Sequence, residues 1–100
     1  MAKGYWIVRV DVKNVEGMKP YAAANAAIYK KFGGQYLVQS NKFEVPEGTA
    51  RARQIVVEFS DYASALACYR SPEYQANIKV REPHAVGDFI IVEGYDGPRP

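Results

Sequence analysis

The sequence holds one cysteine, Cys68, and one histidine, His84. A single cysteine closes no internal disulfide, and one of each cannot build the Cys and His sets that hold zinc. The acids are scattered along the chain, so no metal is expected. No apolar run is longer than Ala65–Tyr69, far short of the roughly 20 residues that cross a bilayer. Met1-Ala2-Lys3-Gly4-Tyr5-Trp6 lacks the apolar stretch of a secretory signal, so a reducing cytoplasm is the expected compartment. The net charge is only +2, with basic and acidic residues interspersed. No basic block is present to follow a phosphate backbone, and nucleic acid is not an expected partner. Gly33-Gly34 follows a helical pattern instead of opening one, the wrong side for phosphate, so no nucleotide cofactor is expected.

What is present is apolar: 48% of residues, thirteen of them aromatic. One domain over residues 1–95 is expected, with a frayed tail at 96–100 rich in Gly and Pro. Tyr5–Val12 alternates, with Trp6, Val8, Val10 and Val12 on one face and Tyr5, Ile7, Arg9 and Asp11 on the other, the period of a strand. Proline lacks an N–H and clashes with a preceding helical carbonyl, so the spacing predicts a loose turn over 15–19 and a helix from Pro20 to Phe32. Tyr21, Ile28 and Phe32 mark the buried stripe of that helix, and Gly33-Gly34 ends it. A second strand is expected at Gln35–Ser40, resuming at Phe43–Val45, and a third at about Ala52–Phe59. Asp61 then caps a short helix with Tyr62, Ala65, Leu66 and Tyr69 on one face. Ser71-Pro72-Glu73 starts another, which Pro83 stops near Glu82. Val86–Glu93 is the last strand.

The order β-α-β-β-α-β, with its second helical region broken at Ser71, predicts an α+β, ferredoxin-like sandwich: a four-stranded antiparallel sheet with helices on one face. Yet both faces of the strands are apolar. Val56 lies opposite Ile55 and Val57, Ile90 and Val92 opposite Phe89 and Ile91, and Tyr5 and Ile7 opposite Trp6 and Val8. The second face is too apolar to leave wet, and a second copy laid sheet to sheet is the expected cover.

Several of these segments resemble a known bacterial family. Tyr5-Trp6-Ile7-Val8-Arg9-Val10-Asp11-Val12, the helix closing on Phe32-Gly33-Gly34, Val57-Glu58-Phe59, Ser71-Pro72-Glu73-Tyr74 and Ile91-Val92-Glu93-Gly94 are together similar to the domain of unknown function 1330, DUF1330, within the dimeric α/β-barrel superfamily. The resemblance implies a ferredoxin-like protomer paired through its sheet as a homodimer. It implies no activity. Relatives in that superfamily include cofactor-free monooxygenases, isomerases, haem enzymes and ligand-sensing domains, which use the cleft between sheet and helices. It also implies a looser pocket wall at Cys68, where the family often carries a bulky aromatic residue.

Asn25 falls inside the apolar stripe between Tyr21, Ile28 and Phe32. An amide there either orients a ligand or bonds a tyrosine hydroxyl or strand carbonyl. Arg81 shares a helix face with Tyr74 and Ile78; its planar fork suits a carboxylate, or an internal pair with Glu58 or Glu82. With Tyr21 and Tyr69 these residues are the candidate ligand site, Arg81 holding the carboxylate of a small organic acid and Asn25 a second oxygen. His84, after Pro83, is the candidate proton-transfer group at its mouth or a solvated bystander. Tyr29 and Cys68 read as core, and Arg9 and Glu58 as a pair on the dimer face. The third-strand places that carry stacking aromatics in RNA-recognition motifs hold Gln54 and Val56, which removes that reading. Two functions stay open: binding or converting a small organic acid in the helix–sheet cleft without metal or nucleotide cofactor, or a non-catalytic binding or regulatory homodimer.

Overall fold

The alternation of β1, Gly4–Val12, sends Trp6, Val8 and Val10 inward and leaves Arg9 outside. In the computed structural model, which describes residues 2–100, the chain continues through α1 (Val15–Phe32), β2 (Gln35–Ser40), β3 (Arg53–Phe59), α2 (Tyr62–Arg70), α3 (Pro72–Arg81) and β4 (Ala85–Glu93). The strands form one antiparallel sheet in the order β2-β3-β1-β4. This is the ferredoxin-like arrangement that the β-α-β-β-α-β order predicts.

Trp6 is the hub of the core. It is fully buried, its ring meets those of Tyr29, Phe59, Tyr69, Tyr74 and Phe89 at centroid separations of 4.8–6.4 Å, and its indole N–H donates to the Ala65 carbonyl at 2.9 Å. That bond fixes α2 against β1 and leaves no buried donor unmet. Asp61 caps α2 by accepting from the Ser64 amide at 2.7 Å. Ser71 joins the two shorter helices: its hydroxyl donates to the Cys68 carbonyl and accepts from the Tyr74 amide.

Three local expectations are corrected. α1 starts at Val15 and runs through Pro20. Proline removes only one bond there, the one that would reach the Glu16 carbonyl. Asn14 compensates at the end by accepting from the Gly17 amide, and Met18 packs on the core. No strand resumes at Phe43–Val45; residues 41–52 form an irregular connection. Arg9 and Glu58 do not pair. The register sets Arg9 opposite Gln54, which accepts from it at 3.2 Å, and Tyr5 opposite Glu58, to which it donates at 3.1 Å.

The sheet face without helices carries one apolar row across all four strands. Val38, Val56, Ile7 and Ile90 are register partners in that sequence, with Val38 40% and Ile90 53% exposed. More polar rows flank it: Ser40, Gln54, Arg9 and Asp88 on one side, and on the other Gln35, Glu58 and Tyr5, a row that ends at Val92. On the first of these sides Arg51 bridges Asp11 and Asp88, at 2.8 Å each.

Candidate functional site

Tyr21 and Asn25 stand one turn apart on the buried side of α1, facing α3. The Tyr21 and Tyr74 hydroxyls lie 2.5 Å apart, and the Arg81 guanidinium donates to both, at 3.4 and 3.1 Å. Arg81 also lies over the Phe89 ring, 4.5 Å from its centroid. The candidate anion-binding arginine is thus engaged within the protein, by tyrosines and not by Glu58 or Glu82. Burial pushes the Tyr74 phenol well above its ordinary range, and the neighbouring Tyr21 adds to the shift. The Tyr74 hydroxyl therefore remains protonated and available as a donor.

Asn25 has a different partner from either one expected. Its side-chain oxygen accepts from the Asn77 amide at 2.9 Å, and the same amide donates to the Tyr21 carbonyl at 3.1 Å. Both asparagines are buried. Sequence reading missed Asn77, although it follows Tyr74 by three residues and so shares that helix face. Tyr69 stacks between Trp6, Tyr74 and Phe89. The structure therefore brings Tyr21, Arg81 and Tyr69 into one cluster around Tyr74, with Asn25 beside it on Asn77.

His84 lies at another junction. Its carbonyl accepts from the Lys13 and Asn14 amides, at 2.7 and 3.2 Å, and its own amide donates to the Arg81 carbonyl. Its ring lies against Gly17, where any Cβ would overlap it. His84 thus ties the end of α3 to the start of α1. Cys68 is fully buried, and burial pushes its thiol up to about 12, the reverse of an activated nucleophile.

The open space lies at the other end of the layer. A cavity of about 330 Å3 separates the first half of α1 from the sheet. Val10, Val12 and Ile55 form its floor, and Val15, Met18 and Ala22 form its helix wall. Lys19, Gln39 and Arg53 supply the polar groups at its edge. None of Tyr21, Asn25, Tyr69, Arg81 and His84 lines it, nor does Cys68. The signal for this site is in the sequence. Counting back by two from Phe59 gives Val57, Ile55 and then Arg53, so a cation stands on an otherwise apolar inward face. Opposite it is Val10, followed two residues on by Val12, both small residues on the strand that carries Trp6.

Among the described residues no three His, Cys, Asp or Glu side chains converge in a way that would hold a metal. No helix among them is long and apolar enough to cross a membrane.

Residues 3–95 match the model of DUF1330, a domain of unknown function. The chain belongs to this family. No curated protein matches the sequence. Among solved structures, a DABB family protein with a ferredoxin-like fold from Mesorhizobium loti is similar over 98% of this chain and 100% of its own, with 16% identity and a TM-score of 0.66. SnoaB, a cofactor-independent oxygenase from Streptomyces nogalater, is similar over 97% of each chain at 9% identity and a TM-score of 0.67. A dimeric protein of unknown function from Bacteroides fragilis covers 91% of this chain and 95% of its own, with 16% identity and a TM-score of 0.58. At these identities the likeness carries the ferredoxin-like fold alone. The DUF1330 chain thus shares its frame with proteins described as dimeric and with an oxygenase that needs no cofactor.

Proposed function

We propose that this DUF1330 protein is a homodimer that binds a small, largely apolar organic molecule in the cavity between α1 and the sheet, without metal or nucleotide cofactor. The observation that carries the reading is the cavity itself. Its volume of about 330 Å3 lies at the lower end of the roughly 300–1,000 Å3 typical of ligand pockets, and few polar groups interrupt its apolar lining. In this reading Tyr21, Asn25 and Arg81 hold α1 against α3 and so keep the cavity's helix wall in place, with Tyr69 packing α2 on Tyr74 and His84 bracing the first turn of α1. The free, buried Cys68 suits a reducing, cytoplasmic setting.

The row Val38–Val56–Ile7–Ile90 supports pairing through the open sheet face, as do the relatives described as dimeric. Sedimentation at micromolar concentration should give about twice the 11.2 kDa chain mass. Ile90→Asp should give the monomer, because it places a charge in a dry contact. For the cavity the neutral probe is octanamide, followed by calorimetry. Saturable binding with one site per chain is expected, and Ala22→Phe, which fills the helix wall, should abolish it. No saturable binding of this probe or of its charged counterpart, or binding that Ala22→Phe leaves intact, overturns the reading.

A further inference from the structure

We infer that the ligand of this cavity is a monocarboxylate with an apolar tail, and that Arg53 is its anchor. The inference rests on the reading of the cavity given above and names the chemistry of its occupant.

Arg53 is the residue at which the inward face of β3 changes character. Phe59 and Val57 are buried, Ile55 is half-buried, and Arg53 stands next in line, in register with Val10 on the cavity floor. Other arginines on or beside the sheet are engaged: Arg9 by Gln54, Arg51 by Asp11 and Asp88, and Arg81 by two tyrosine hydroxyls. Among the described residues Arg53 makes no salt bridge and no side-chain hydrogen bond. Its five donors remain free for a planar acceptor.

The charged side chains that line the cavity have one sign. Lys19 reaches the cavity from α1, and its one ion pair among the described residues, with Glu16, is largely exposed and holds it weakly. Among the described residues no Asp or Glu lines the cavity. The amino end of α1 lies along the same wall, where Val15 and Met18 line it, and the positive end of the helix dipole adds to the bias. The Gln39 amide, on the strand beside β3, supplies one more donor at the edge. Behind this rim the floor is aliphatic, so a second negative charge carried inward would be desolvated without a partner. One anionic head and an apolar body match the lining from rim to floor.

The experiment compares octanoate with octanamide, which share a chain and differ in charge. At low ionic strength the whole protein should bind octanoate about tenfold more tightly, the factor set by about 1.4 kcal/mol. Arg53→Gln should remove most of that preference, lowering octanoate affinity more than octanamide affinity; Arg53 is exposed, so the fold should survive. Lys19→Gln should lower it less. As a check on the unaltered protein, added NaCl should weaken octanoate and not octanamide. Equal affinities in the wild type, a preference that Arg53→Gln leaves undiminished, or a preference indifferent to salt overturns the inference while octanamide binding still supports the cavity. Absence of binding by either probe overturns both.

Discussion

β1 sends Trp6 into one end of the layer between helices and sheet and Val10 into the other. At the Trp6 end, rings from α1, α2, α3, β3 and β4 close on the indole, and Asn25, Asn77 and Arg81 all find protein partners. At the Val10 end, aliphatic side chains from β1, β3 and α1 stop short of one another, and Arg53 has no partner among the described residues. The same helix and the same sheet serve both ends, so the difference lies in side-chain volume and polar satisfaction. A fully bonded, fully packed end fixes the fold. An underfilled end with a free donor has the room and the chemistry that the proposed ligand needs.

The largest test removes the hub. Trp6→Ala takes out a fully buried ring and the indole N–H that donates to the Ala65 carbonyl. It should cost about 3–5 kcal/mol of stability by urea unfolding. A loss below about 1 kcal/mol would mean that the packed end is not what holds the fold.

Alkali should attack the same end next. Burial raises the Tyr29 and Tyr74 phenols above their ordinary value of 10.0. In the unfolded chain these groups ionise near pH 10, while in the native state they do not. The unfolded state then binds fewer protons, so stability is present below pH 10 and falls as pH rises above it. Thermal unfolding followed between pH 8 and 11.5 should show a melting temperature that begins to decline near pH 9, where the Cys68 thiol ionises only in the unfolded chain, and falls more steeply above about pH 10. A native spectrophotometric titration in which all eight tyrosines ionise together near pH 10 would contradict the packing described.

A smaller effect is expected at the asparagine pair. Asn25→Ala leaves the Asn77 amide with the Tyr21 carbonyl alone. The cost should be about 1–3 kcal/mol, and adding Asn77→Ala should cost less than the sum of the two single changes. Additive losses would show that the two amides do not depend on each other.

Most of the fold is legible in the sequence because its signals are local. The β1 alternation, the Asp61 and Ser71 caps and the Gly33 end of α1 each depend on a few neighbouring residues. The start of α1 was misread because proline is a local breaker. The Asn14 cap is as local as the others, but the Met18 packing that helps to outweigh proline acts through the assembled structure. The site was harder for a similar reason. Asn25 and Arg81 are conspicuous as polar residues on apolar faces, but only the meeting of α1 with α3 reveals that they satisfy partners inside the protein. A cavity is an absence of side-chain volume, and no single residue announces it. Arg53 is the nearest thing to a signal, and it shows only when the period of β3 is counted through to its first residue.

The finest test compares one added methylene at each end. Val57 and Val10 are both β-branched strand residues on the helix-covered face, at 0% and 5% exposure, so exposure alone barely separates them. Replacing either with Ile keeps the β-branch and strand propensity and adds one carbon. Val57 pairs with Trp6 and packs within the core cluster, where the extra carbon must displace a neighbour. Val57→Ile should therefore cost about 1–3 kcal/mol. Val10 faces the cavity, so Val10→Ile extends into open space and buries new apolar surface. Its stability should be unchanged or slightly raised, by at most about 0.8 kcal/mol for one buried methylene. The same substitution should weaken octanamide binding, because the carbon occupies volume the ligand uses. If Val10→Ile destabilises as much as Val57→Ile, the space above Val10 is closed in solution and the two ends of the layer are alike.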